Sequence, residues 1–464
     1  MKRITIIGGG ASGTLLAINL IKRATAAQPL IINLIERAGE TGRGVAYGTT
    51  KDFHLLNVPA AKMGAFPETI TDFHNWLTVK KFDYQPDSFV PRKIYGAYLQ
   101  ELFEKTIQDK HEFAETNVLC DEAVDILEEN DAARVLLGNG KELISDAVVL
   151  AFGNFLPPNV RTQSDDYTKS PKYFQSPWRK DIPSAIDQDE DVLIIGTGLT
   201  GIDVILSLYH NQHSGKIYAL STHGLLPTVH APAASYPSFQ SEIESAQNIL
   251  QMLKIVRRHI AQAEQTGSNW RAVVDSLRPV TQQLWQQLPV AEKRRFLRHL
   301  QRRWDVARHR MPPECSAILQ SLQAAGQLQI LTGRISQIEL VTDDSFQITY
   351  GHSQQIKADR VINCTGSQSN YARINTPLVK NLITRGAITP DALNLGLAAA
   401  PTGEIINKQG AISNKLYTFA TAQKGILWEC TAMPDIRVQA QQLAVRLLEN
   451  LKFKNLNSKI TDVY

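Results

Sequence analysis

Apolar residues along the chain fall into two rhythms. Short aliphatic runs, rich in β-branched residues, stop abruptly at glycine, and longer stretches carry apolar positions every three or four residues. Both rhythms meet at the amino terminus, "MKRITIIGGGASGTLLAINLIKR". There Ile4, Ile6 and Ile7 suit a buried parallel strand, and Leu15, Leu16, Ile18, Leu20 and Ile21 supply the inner face of a helix. "LIINLIER" follows as a second strand. The pattern returns about 190 residues later in "DVLIIGTGLTGIDVILSL", with Val192 to Ile195 as the strand and a helix starting near Leu199. "KIYAL", "DAVVLAFGNFLPP" and "ADRVINCTGSQSNY" read as further apolar strands. Between about 241 and 312 the alternation disappears. In "AEKRRFLRHLQRRWDVARHR", Phe296, Leu300 and Trp304 recur every four residues and predict a helix with one face on a core.

The glycines give the strand–helix units their chemistry. Gly8, Gly10 and Gly13 make G-x-G-x-x-G. The first permits a tight turn, the second lets a pyrophosphate reach the backbone, and the third lets helix and strand pack closely. The first-turn N–H groups, at Ala11 and Ser12, then face phosphate charge. Glu36 stands twenty-three residues after Gly13, where an acid meets a ribose hydroxyl, and Arg37 follows it. The second unit repeats the spacing with Gly196, Gly198 and Gly201, so Leu199 and Thr200 open its helix. Its next strand ends at Ser221, followed by Thr222 and His223, with no carboxylate to repel a 2′-phosphate. That absence leans toward NADPH over NADH.

Two strand ends, Phe152-Gly153 and Thr365-Gly366, mark where the chain passes between nucleotide domains. The expected map has an FAD domain made of 1–160 and 366–464. An NAD(P) domain at 161–365 is inserted in it and carries a helical insertion at about 241–312. The fold class is therefore α/β, with two Rossmann-like dinucleotide-binding domains and a helical insertion.

Composition changes this picture little. The chain has 464 residues, 43% apolar and 20% charged, with a net charge of +4, so no nucleic acid or anionic membrane is expected as partner. A basic residue pair ahead of an apolar run also starts a secretory signal, but no A-x-A-like site closes the run. With no apolar stretch of membrane length, the expected location is the cytoplasm. Cys120, Cys315, Cys364 and Cys430 lie far apart, are expected to be reduced and buried, and give neither a redox pair nor metal-ligand spacing. Arg294, Arg298 and Arg302, with Arg303, Arg308 and Arg310 nearby, read either as a clamp on phosphate or carboxylate groups or as a solvated basic face.

Several stretches resemble one family. The paired glycine motifs, "GRGVAYGT", "HLLNVPAAKMGAFP", "VPRKIYGAYL" and "GILWECTAMPDIRVQA" are similar to the FAD-NAD(P)-binding family of two-dinucleotide flavoproteins, over Ile4 to about Leu448. The resemblance implies the fold of class B flavin monooxygenases, which include amine N-hydroxylases and flavin-containing monooxygenases. Some similar members are described as amino-acid N-hydroxylases and at least one as a urate hydroxylase. It implies that Gly8, Gly10, Ser12 and Gly13 hold the FAD pyrophosphate, with Arg43 and Gly44 beside it and Glu36 on the ribose. Asn57, Val58 and Met63 would line the isoalloxazine ring, and Gly196, Gly198, Thr200 and Gly201 would take the nicotinamide nucleotide. Such flavoproteins usually have a Gly-Asp near the C-terminus that bonds the ribityl chain. Ala420 and Thr421 stand in that region here, with Gly425 following, while Trp428 and Glu429 match the family pattern.

The implied activity is a monooxygenase in which NADPH reduces FAD, O₂ reacts with it, and a flavin C4a-hydroperoxide hydroxylates a small molecule. An amine or amino-acid nitrogen, or another anionic compound, fits as substrate. Asn57, Asn154 and His54 are candidate hydrogen-bond partners for the oxygen, although an asparagine beside a flavin also serves as a structural hydrogen bonder. The linker "YTKSPKYFQSPWRKD" has Tyr173, Phe174 and Trp178 but lacks the glycine and histidine of Baeyer–Villiger enzymes, which disfavours ketone oxygenation. An NAD(P)H:acceptor reductase or oxidase needs the same nucleotide sites, and a non-catalytic sensor is a third reading. Association with further copies of the chain stays open.

Overall fold

The computed structural model describes residues 1–110, 112–178, 182, 185–341 and 345–451; the end of the linker quoted above, 179–181, lies outside them. The chain forms two compact units. One comprises Met1–Asp52, Val58–Phe155 and the chain from Ser369 onward; the other comprises Phe53–Asn57 and Leu156–Gln368.

In the first unit, strands β1 (Lys2–Ile7), β2 (Leu30–Ile35), β3 (Ala114–Leu119), β7 (Ala147–Leu150), β16 (Glu404–Ile406) and β17 (Ile412–Thr418) form one sheet. Their order is β16-β17-β7-β1-β2-β3, parallel except at the β16–β17 pair. Ile4 stands opposite Ile32 and Ile6 opposite Leu34, all fully buried. That is why these runs are aliphatic throughout and do not alternate: both faces of the sheet are covered. Helix α1 (Ala11–Arg23) covers one face and packs on α2 (Arg92–Lys110) and α4 (Met433–Asn450). A small antiparallel sheet, β4 (Ala123–Glu128), β5 (Ala133–Leu137) and β6 (Glu142–Ser145), shares a core with Leu378, Leu382 and Leu416.

The second unit repeats the plan. Strands β8 (Tyr173–Phe174), β9 (Val192–Ile195), β10 (Ile217–Ser221), β11 (Leu328–Thr332) and β15 (Arg360–Asn363) make an all-parallel sheet in the order β11-β10-β9-β15-β8. Helix α3 (Leu199–His210) follows β9, and β12 (Ile335–Leu340), β13 (Phe346–Tyr350) and β14 (Gln354–Ala358) form an antiparallel sheet. The fold is therefore α/β with two dinucleotide-type sheets and a helical insertion.

That insertion contains six helices from Gln240–Glu244 to Gln301–Arg308. The basic stretch expected as one helix is two, Val290–His299 and Gln301–Arg308, joined at Leu300. Phe296 is buried, while Leu300 and Trp304 are half-buried, so the apolar stripe survives the break.

In both sheets the first and third glycines of the turn sit where a side chain has no room. A Cβ on Gly13 would overlap the Gly8 carbonyl oxygen and lie 3.2 Å from Ile6 Cγ2; one on Gly201 would overlap the Gly196 carbonyl. Gly13→Ala should therefore destabilise the first unit by about 3 kcal/mol, the upper range for overpacking. Chemical denaturation reads this directly, and an unchanged midpoint would mean that helix and strand are not in this contact.

Candidate dinucleotide sites

Each nucleotide site begins at a carboxyl end of a central strand. In the first unit Gly8 has φ 109°, and its N–H donates to Ile35 O at 2.9 Å. Ala151 N donates to Ile7 O at 2.9 Å, which brings the end of β7 beside the turn. The second unit is built the same way: Gly196 has φ 114°, its N–H donates to Leu220 O, and Cys364 N donates to Ile195 O. The strand ends read from sequence, at Gly153 and Thr365-Gly366, thus lie next to the two turns.

Neither helix is capped by a side chain. The N-caps of α1 and α3 are Gly10 and Gly198, in extended conformation with no side-chain hydrogen bond. A missing cap costs a helix about 1 kcal/mol. Burial offsets that many times over, because Leu15, Leu16, Ile18, Leu20 and Ile21 are fully buried and each contributes about 1.5–3 kcal/mol. The helices are stable without caps, and their first N–H groups are left for an anion. A Cβ on Gly198 would meet nothing within 4 Å, so open space lies in front of the second turn. At Gly10 the nearest atom to such a Cβ is the Gly44 Cα, 3.4 Å away. Both turns therefore fit a dinucleotide pyrophosphate.

Gly44 reaches Gly10 because the loop before it is tied down. Gly42 N donates to Gly9 O and to Thr14 Oγ1, both at 2.9 Å. Arg43 is half-buried, bonds Gln100 at 3.3 Å and lies 3.7 Å from Glu40. Glu36 stands at the glycine turn, with Oε2 accepting from Gly9 N at 2.8 Å and Oε1 from Ala38 N at 3.0 Å. Its carboxylate is oriented by the backbone it flanks. Arg37 is exposed, and Val58 is half-buried, whereas Met63 is 2% exposed.

Other sequence-expected residues divide into exposed and engaged. Asn154 is exposed, and Gly153 and Gly366 have positive φ with open space where a Cβ would be. Ser221 is engaged in its turn: Thr197 Oγ1 lies 2.8 Å from its hydroxyl, and Gly224 N donates to it at 3.0 Å. Thr222 and His223 remain exposed. Leu199 and Thr200 are half-buried at the start of α3, and Thr365 donates to Asn363 Oδ1. Gly425 is needed for a different neighbour, since a Cβ there would overlap the Asp391 carboxylate. Asp391 is buried, accepts from Leu393 N and Leu395 N, and burial pushes its carboxyl above the usual range. Trp428 is 6% exposed, with the Lys424 ammonium 5.3 Å from its ring centroid.

The segment Phe53–Asn57 belongs to the second unit and is anchored there at both ends. His54 Nε2 lies 3.2 Å from Asp203 O and 3.0 Å from Ser207 Oγ on α3, and Phe53 stacks on His210. His230 Nε2 meets Asn57 O at 3.0 Å. His54 therefore has a structural use, and His230, which no motif marked, sets the backbone of Asn57. Among the basic residues, Arg294, Arg298, Arg302 and Arg303 are exposed. Arg308 and Arg310 are buried, and Arg310 grips Asp275 through both terminal nitrogens at 2.9 and 3.1 Å. The expected basic face is thus a surface at one end and an internal ion pair at the other. All four cysteines are free; Cys120 is exposed, not buried as expected, and the other three are buried. Among the described residues no His/Cys/Asp/Glu group has metal-binding arrangement, and no helix is long and apolar enough to cross a membrane.

The geometry defines a two-dinucleotide α/β fold, and known proteins share it. Residues 5–155 match the family model described as FAD-NAD(P)-binding, so the chain carries an FAD-NAD(P)-binding domain. Among curated proteins, "Uncharacterized protein YdhS" of Escherichia coli (strain K12) is 26% identical over 224 residues, 45% of this chain; the match spans only 39% of that relative's length. L-lysine 6-monooxygenase from Pseudomonas syringae superposes with a TM-score of 0.62 at 16% identity, over 97% of this chain and 100% of that one. Ornithine hydroxylase from Pseudomonas aeruginosa gives 0.59 at 15%, over 97% and 99%. Bacillithiol disulfide reductase from Staphylococcus aureus gives 0.55 at 14%, over 97% and 99%.

The open space at Gly198 provides a clean test of the second site. Gly198→Val has room for its side chain and should change stability by less than about 1 kcal/mol, as for an exposed site. Binding of NADP⁺, followed by calorimetry, should fall at least tenfold. Undiminished binding would separate the turn from the nucleotide.

Proposed function

We propose that this chain is an FAD-dependent, NAD(P)H-using oxidoreductase, and within that class a monooxygenase hydroxylating an amine nitrogen of a small molecule. The observation that carries this reading is the pair of uncapped glycine turns in a chain without any cysteine pair. Likeness in fold to lysine and ornithine hydroxylases over nearly the whole chain supports it. Likeness to the disulfide reductase favours electron transfer to another acceptor, but no two of the four cysteines are near in sequence and three of them are buried. FAD, when bound, takes a hydride from the nicotinamide and delivers electrons to O₂.

In this reading the chain's own groups do the positioning. The N–H groups at Ala11 to Gly13 would neutralise the FAD pyrophosphate, Arg43 and Gly44 would flank it, and Glu36 would bond the ribose. Those at Leu199 to Gly201 do the same for the nicotinamide nucleotide, with Thr222 and His223 at its 2′-phosphate. Asn154, exposed beyond the end of β7, offers a hydrogen bond to the reacting oxygen. The substrate amine must be neutral to react, which a desolvated pocket achieves by lowering its pKa. An amino acid, with its carboxylate, suits a cytoplasmic enzyme bearing the exposed arginines 298 and 302.

The direct test supplies FAD, NADPH and O₂ with lysine, ornithine or cadaverine and looks for an N-hydroxylated product by mass spectrometry. One amine should both accelerate NADPH oxidation and gain an oxygen. NADPH oxidation yielding only hydrogen peroxide with a broad amine panel would favour the oxidase reading instead.

Coenzyme choice gives a second test. Neutral hydrogen bonds contribute about 0.5–1.5 kcal/mol each, so NADPH should be preferred over NADH by roughly tens-fold. Thr222→Glu puts a carboxylate against the 2′-phosphate and should abolish that preference while leaving NADH rates near wild type. A wild-type protein that reduces its flavin faster with NADH contradicts the assignment.

A further inference from the structure

Two residues between β17 and the end of the described chain hold positive φ without being glycine in a glycine-poor turn: Ala420 at 56° and Trp428 at 65°. Trp428 has ψ −75° and centres a γ-turn closed by Glu429 N to Leu427 O at 2.9 Å. Side chains bearing a Cβ reach such conformations only when their surroundings force them. Both residues are nearly fully buried, Ala420 at 2% and Trp428 at 6% exposure.

What forces them is one buried hydrogen-bond network. Gln439, on α4, accepts from Ala420 N at 3.0 Å and donates from Nε2 to Cys430 O at 3.3 Å. The Cys430 thiol in turn donates to Ala420 O at 3.2 Å. Both backbone groups of Ala420 are thereby fixed, and the γ-turn is held two residues later at Cys430. Each bond is weak alone. Together they over-determine the segment, because releasing any one leaves a buried polar group unpaired.

The strained segment lies at the ligand-binding edge of its sheet. Ala420 comes two residues after the end of β17, which neighbours β7 and then β1, and its successor Thr421 donates to Gly153 O at 2.8 Å. Gly153 has open space where a Cβ would be, and Gly8 turns at the end of β1. In an open α/β sheet this edge is where the ligand sits. The positive φ of the buried Ala420 at that edge marks a pre-organised clamp.

We propose that Gln439 is a positioning residue for FAD, locking the Ala420–Thr421 turn in the shape that receives the cofactor in place of the missing Gly-Asp. The assignment rests on FAD occupying the first unit. Gln439→Met keeps the volume and removes all three side-chain bonds, to Ala420 N, Cys430 O and Asp435 O. In titrations of apoprotein with FAD, followed by flavin fluorescence and visible circular dichroism, Gln439→Met should bind at least tenfold more weakly and show an altered flavin dichroism. NADP⁺ affinity should be unchanged. Wild-type FAD affinity in Gln439→Met overturns the proposal, as does an equal loss of FAD and NADP⁺, which reports general unfolding. Gly10→Val in the same titration separates the two levels. Loss of FAD there with retention in Gln439→Met sinks only the clamp, whereas retention in both sinks the FAD assignment itself.

Discussion

The close approach of a helix start to a strand-end carbonyl governs both units. Gly13 lies against the Gly8 carbonyl and Gly201 against the Gly196 carbonyl, at distances that exclude even a methyl group. Only that approach aims the first turn of each helix past the end of its strand. The N–H groups there converge on one point without a side chain to satisfy them. A helix that had to stabilise its own N-terminus would place Ser or Asp at the cap and close the site. Here the apolar face of α1 supplies the stability and the cap position is free for a ligand.

The flanking groups follow from the same constraint. Because the turn is tight, Glu36 at the end of β2 hydrogen-bonds the backbone of Gly9, and the loop ending at Gly44 is drawn over Gly10 through Gly42. Because the second turn has no such loop, the space before Gly198 is open. The two sites thus share a frame and differ in cover, as expected of a resident cofactor and an exchangeable one. Local stability varies with this: Ser221 is bound into its turn, whereas Thr222 and His223 beyond it are exposed and able to meet a phosphate.

Much of this was legible in the sequence, since aliphatic runs ending in spaced glycines have few other physical uses. The central strand and the glycine turn of each sheet follow from Ile4–Gly13 and Val192–Gly201 alone. What escaped depends on contacts far apart in sequence. Nothing around His54 marks it as an anchor on α3, nor His230 as the holder of Asn57. The break at Leu300 leaves the four-residue spacing intact, so periodicity reads through it. Nothing near Gly425 in sequence points to its closest neighbour, the buried Asp391 thirty-four residues earlier. The partner of Arg310, Asp275, lies thirty-five residues earlier, so the spacing of the basic residues gives no sign of the ion pair.

The central claim is that the two turns hold a flavin and a nicotinamide nucleotide that exchange electrons. Anaerobic titration of the flavin-loaded protein with NADPH tests it most directly. The account predicts that the visible flavin band bleaches with one NADPH per flavin, because each nucleotide has one site. A flavin band that persists under excess NADPH, yet bleaches with dithionite, would contradict it.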